Sequence, residues 1–153
     1  MIPTTVGRVP EHTSDSANEA IRRQAHETIA RIAAGGPEAI DRRLAELDRE
    51  WDIERTLEAN AATVSLIGLG LGTFVDRRFY LLPAAVAGFL LQHAVQGWCP
   101  PMPVFRRLGI RTATEIEEER YALKALRGDF LDVTVGDGHD PARTERALRA
   151  VRR

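Results

Sequence analysis

Cysteine is nearly missing from this sequence: Cys99 stands alone among 153 residues. One thiol cannot close an internal disulfide or complete a four-ligand zinc site, which excludes an oxidised secreted scaffold and a zinc module. Excess charge of either sign is missing too, since 21 Lys and Arg face 22 Asp and Glu. Without a concentrated basic face no nucleic-acid partner is expected. The opening stretch, "MIPTTVGRVPEHTSDSANEA", lacks a basic start followed by an apolar run, so no cleavable signal peptide is read there. Any membrane insertion is then expected to use internal segments. There is no internal repeat and no low-complexity tract.

What is present is unevenly placed. The hydrophobic fraction is 44%, and its bulk sits mid-chain. Residues 1–15, with Pro3, Gly7, Pro10 and several Ser and Thr, read as a flexible tail. Residues 16–51 read as a helical hairpin. In its first helix Ile21, Ala25, Ile29, Ile32 and Ala33 recur at helical steps until Gly35-Gly36 stops them, and Pro37 opens the second. There Ile40, Leu44, Leu47 and Trp51 form a narrow seam, suited to the first helix or to a second copy as a short coiled coil.

Residues 52–111 read as a membrane domain. The runs 59–75 and 79–98 carry no Asp, Glu, Lys or Arg and are separated by Asp76-Arg77-Arg78. At about 1.5 Å per residue they extend roughly 25 Å and roughly 30 Å, against a hydrocarbon core of about 30 Å. Glycines 68, 70 and 72 favour lipid over water, because small residues let membrane helices touch. The small-residue faces are Ala61, Ser65, Gly68 and Gly72 on the first crossing and Ala84, Ala87 and Gly88 on the second. Tyr80 and Trp98 bracket the second run as interface anchors. The alternative is a soluble, all-round apolar helix pair buried by a protein partner.

Two crossings place both termini on one side. That side carries Arg49, Arg55, Arg106, Arg107 and Arg111 near the membrane, against Arg77 and Arg78 in the connecting loop. The positive-inside rule then makes both termini cytoplasmic. Residues 112–128 read as an amphipathic helix with a capping box from Thr114 to Glu117 and a stop at Gly128. Residues 129–153 read as a tail with a short basic helix, capped by Asp140 and begun by Pro141, lying either against anionic headgroups or in solvent.

The stretches "EWDIERTLEANAATVSLIGLGLG" and "GWCPPMPVFRRLGI", with the short loop between the two runs, carry a resemblance. Through Asn60, Gly68, Gly72, Cys99-Pro100 and Leu108-Gly109 they resemble a small bacterial inner-membrane domain of unknown function. The same domain forms the carboxy-terminal part of rhodanese-type inner-membrane sulfurtransferases. The resemblance covers residues 52 to about 111 and implies a two-helix membrane hairpin that associates with itself. It does not bring the rhodanese part with it. Cys99 lies among Pro100, Pro101 and Pro103, whose nitrogens cannot donate to a bound anion, and Arg106 is too far along for a tight cysteine-to-arginine loop.

Three readings of Cys99 stand. It is a small hydrophobe at the membrane exit, or a sulfur-handling or redox thiol aided by Arg106 or Arg107, or a soft ligand with His93 and Met102 for copper(I) or haem. The last needs a helix break near Gly97, and His93 has a simpler use as a polar contact to Asn60, Gln92 or Gln96. The expectation is an all-α inner-membrane protein with a two-helix transmembrane hairpin. It serves as an anchor or interaction module and is not an enzyme. No cofactor or metal is assigned. Its partners are the lipid bilayer, a second copy and an unidentified protein. The competing function is a thiol or metal-dependent redox component centred on Cys99.

Overall fold

The computed structural model describes residues 7–133 and 141–152. Among these no strand occurs, and the helices are α1 (Arg8–Glu11), α2 (Asp15–Ala34), α3 (Pro37–Leu47), α4 (Ile53–Phe74), a 3-10 turn (Arg77–Tyr80), α5 (Leu81–Gln96), α6 (Met102–Arg107), α7 (Ala113–Arg127) and α8 (Pro141–Arg152). They divide into two compact units, Met1–Arg22 with Trp51–Ala113 and Arg23–Glu50 with Thr114–Arg153.

The first unit is organised by α4 and α5. Asp52 caps α4 by accepting from the Arg55 backbone N–H at 2.8 Å, so the helix begins six residues before the charge-free run expected to cross the membrane. The chain reverses through the 3-10 turn, where Asp76 accepts from the Arg78 N–H at 2.8 Å. α5 ends at Gly97, whose φ of 76° is left-handed and whose N–H donates to the His93 carbonyl at 2.7 Å. This glycine, and not the prolines, stops the helix. Pro101 and Pro103 instead sit at the start of α6, where a missing N–H costs nothing.

Beside the Gly97 end lies an apolar cluster of Val9, Ile53, Leu57, Cys99 and Met102, with Trp98, Phe105 and Ile110 packed around it. Val9 belongs to α1, so the tail read over residues 1–15 is corrected from residue 8 onward: it folds because Val9 and Thr13 both have somewhere to be buried. Arg106, 1% exposed, ties this segment down by donating to Thr13 Oγ1 at 3.2 Å and Asn18 Oδ1 at 3.0 Å, and to the Ile110 carbonyl at 3.0 Å. Residues 1–6 lie outside the described residues.

In the second unit Ile40, Leu44 and Leu47 of α3 bury against Ile116 and Leu123 of α7, with Ile29 and Ile32 of α2 alongside. The seam is therefore covered inside the chain. Trp51 does not join it, because α3 stops at Leu47; the residue is 48% exposed and its ring lies under the Arg55 guanidinium at 4.3 Å. Ion pairs of Asp41 with Arg127 and Asp48 with Arg120 set α3 and α7 antiparallel. Glu119 is buried between them and accepts from Arg43 Nε at 2.7 Å and Nη2 at 3.2 Å, a bidentate geometry that drives the Arg43 pKa upward. α7 begins at Ala113, so Thr114 lies within its first turn and does not cap it; Glu117 pairs with Arg120 instead. α8 begins at Pro141 as expected, while Asp140 lies outside the described residues.

Candidate functional site

The residues singled out by sequence gather at two places on the α4 and α5 pair. Along the pair, Gly68 and Gly72 of α4 are close-approach positions. A Cβ on Gly68 would stand 2.7 Å from Pro83 Cδ and 3.1 Å from Leu82 Cβ, and one on Gly72 would stand 2.8 Å from Tyr80 Cδ1. Both contacts forbid a side chain, so these glycines let the two helices touch. Ala61 is buried on the same face and Ser65 is half-buried. On α5 the small residues behave differently. Ala84 and Gly88 are exposed, and nothing lies within 4 Å of a Cβ built on Gly88. Tyr80 is packed over Gly72 and shares a 3.0 Å hydrogen bond with Thr73. Trp98, expected as an anchor facing lipid, is half-buried against the apolar cluster.

At the Gly97 end the polar groups concentrate. His93 is buried, and its Nε2 lies 2.8 Å from Glu54 Oε2. Glu54 stands in the first turn of α4 and His93 in the last turn of α5, so each carries the charge that its helix end favours when the imidazole is protonated. Arg8 adds a cation there by donating to the Ala94 carbonyl at 2.6 Å. The sequence offers Asn60, Gln92 and Gln96 to His93, but the carboxylate of Glu54 takes that place. The signal for it was Asp52, an N-cap residue directly before Ile53, which extends α4 back over Glu54.

Cys99 is 3% exposed in the apolar cluster. Burial pushes its thiol up from the ordinary value, a Met102 backbone hydrogen bond pulls the other way, and the Glu54 carboxylate adds to the rise. The helix does break at Gly97, which the metal reading required, yet His93 turns to Glu54, and Met102 packs with Val9 and Ile53. Among the described residues no three His, Cys, Asp or Glu side chains converge as a metal site. Arg106, offered as a cation for a thiolate, spends its donors on Thr13, Asn18 and Ile110. One face of Cys99 borders a groove of about 410 Å³ between α4 and α5, with Leu57, Ala61, Val86 and Leu90 in its walls.

Two stretches, Ile53–Phe74 and Arg77–Gln96, are long and apolar enough to cross a membrane. Their outward residues are bare: Phe74 is 87% exposed, Leu81 73% and Leu66 69%. No family model, curated protein or solved structure matches the chain.

Proposed function

We propose that the chain is an integral inner-membrane anchor and interaction module, with α4 and α5 crossing the bilayer as a hairpin and both termini in the cytoplasm. The observation that carries it is the exposure of Leu66, Phe74, Leu81 and Leu91 along two helices that pack on each other through Gly68 and Gly72 and leave these side chains bare. A run of large exposed aliphatic and aromatic side chains along two helices marks a membrane or protein contact, and in lipid its exposure costs nothing. The resemblance to the membrane domain of rhodanese-type sulfurtransferases points the same way. So does the arginine bias toward the Gly97 end, where Arg55 and Arg107 are exposed.

Self-association belongs to this reading and falls to α5, whose Ala84 and Gly88 are uncovered while Gly68 and Gly72 are used within the pair. The module needs no catalysis. A second reading, a redox or sulfur-handling thiol, draws on one feature: the groove reaches Cys99 from the apolar side. Cys99→Ser separates the two, since an anchor keeps its location and partners and a thiol component loses function.

The deciding test is an alkaline carbonate wash of membranes followed by detergent. Retention until detergent supports the crossings. Release by carbonate alone means that a protein partner covers α4 and α5.

A further inference from the structure

Trp51 and Arg55 form a pair that the packing of α4 on α5 does not use. The Arg55 guanidinium lies over the Trp51 ring at 4.3 Å, and both residues are exposed. Two acids stand close enough in sequence to claim this cation. Asp52, however, takes the Arg55 backbone N–H, and among the described residues no ion pair joins Arg55 to Glu58. Stacking on the indole occupies the face of the guanidinium and leaves its N–H donors, which lie in its plane, open to an acceptor. At about 100° per residue, Arg55 shares one side of α4 with Ala62, Leu66 and Leu69. All three are exposed, so a single stripe runs from bare apolar side chains up to the stacked cation.

Depth along α4 names the acceptor. With the charge-free run 59–75 centred in the bilayer, Ile67 stands at the midplane and Arg55, twelve residues earlier, lies about 18 Å out at about 1.5 Å per residue. The hydrocarbon extends about 15 Å from the midplane and the headgroups about 20–22 Å, so Arg55 falls in the phosphate layer. An exposed tryptophan belongs at that level as well, with its ring at the edge of the acyl region. Trp98 is packed against the apolar cluster, and Trp51 is the indole left to meet lipid. We propose that the Trp51 and Arg55 pair binds the phosphate of an anionic phospholipid, the indole holding the guanidinium flat while its edge donates to the phosphate oxygens. The proposal rests on the reading of α4 as a membrane crossing. An acidic protein segment also offers acceptors, but in the headgroup layer phosphodiesters are the abundant ones.

The test uses the full-length protein in liposomes, with Trp98→Phe leaving Trp51 as the only tryptophan. Its emission is quenched by phosphatidylcholine or phosphatidylglycerol brominated on the upper acyl carbons, and from the water by acrylamide. Should Trp98→Phe fail to fold, the parent protein minus Trp51→Phe gives the same signal by difference. Binding predicts steeper quenching by the brominated phosphatidylglycerol, weakened by salt. It also predicts that the association constant relative to phosphatidylcholine falls about fivefold in Arg55→Gln and is unchanged in Arg107→Gln. Equal quenching by the two lipids overturns the proposal, and so do equal falls in the two variants, which would mean general surface charge. Acrylamide access without lipid quenching overturns it too, as does protection from both quenchers, which would mean that a protein covers the pair. A carbonate wash of the same liposomes tests the crossings separately. Retention with Trp51 open to acrylamide and out of reach of lipid removes the phosphate site and leaves the anchor; release removes the anchor itself.

Discussion

The Tyr80 ring lies against Gly72 so closely that a Cβ there would stand 2.8 Å from one ring carbon and 2.9 Å from the next. One helix turn away Gly68 meets Leu82 and Pro83 in the same manner. The α4 and α5 pair is thus closed by two absences of a side chain, while Gly70 and Gly88 have open space.

The four glycines therefore separate by effect. Gly68→Val and Gly72→Val are expected to force α4 and α5 apart and lower the melting temperature of the purified protein in detergent. Gly70→Ala is expected to be silent. Gly88→Leu should leave the melting temperature within a degree or two of the parent yet reduce disulfide-independent crosslinking between copies. An oligomer unchanged by Gly88→Leu would remove α5 from the self-association proposal.

Arg43 and Glu119 give a stability prediction in the second unit. Arg43→Ala leaves a carboxylate 1% exposed on its side chain without its bidentate partner, and should destabilise by about 3 kcal/mol. Glu119→Gln combined with Arg43→Met should recover much of that loss, since the penalty comes from a buried carboxylate that has lost the Arg43 guanidinium. Equal losses for the single and double variants would show that packing, and not the charge, dominates.

Cys99 reactivity should follow its raised pKa. Burial favours the neutral thiol, so alkylation of the folded protein is expected to be slow at neutral pH and still rising beyond about pH 8.5, the ordinary thiol value. Because the folded value lies above the unfolded one, the associated stability is present at neutral pH and declines as pH rises past the unfolded value. A rate that levels off well below pH 8.5 would contradict the buried geometry and favour the thiol reading.

Gly97 combines a left-handed backbone with the side chain of Arg8 packed where a Cβ would go. Gly97→Ala should cost about 1–3 kcal/mol from the backbone alone, with a further loss from displaced Arg8. Adding Arg8→Ala should return only the second part, measured as a difference between melting curves.

The helices were legible where periodicity and punctuation agreed. Pro37 after Gly35-Gly36 marked the start of α3, and the glycines 68 and 72 announced a close approach. What escaped was tertiary. Nothing local to Val9 or Thr13 says that residues 98–106 will bury them, and nothing local to His93 names Glu54, 39 residues away, as its partner. Trp51 followed the heptad spacing of Ile40, Leu44 and Leu47 yet left the seam because the helix ended first. Thr114 made a correct capping pattern two residues too late, a slip that spacing alone cannot detect.

The second unit is written in two parts, with Arg43 and Glu119 separated by 76 positions and the whole of α4 and α5 between them. During synthesis α3 therefore emerges with only Ile29 and Ile32 of α2 available to Ile40, Leu44 and Leu47, and their cover is incomplete until Ile116 and Leu123 have left the ribosome. A nascent chain that fails to get past α5 keeps that stripe partly bare, a ready mark for chaperones and proteases. Closure of the second unit thus waits on the translation of α7.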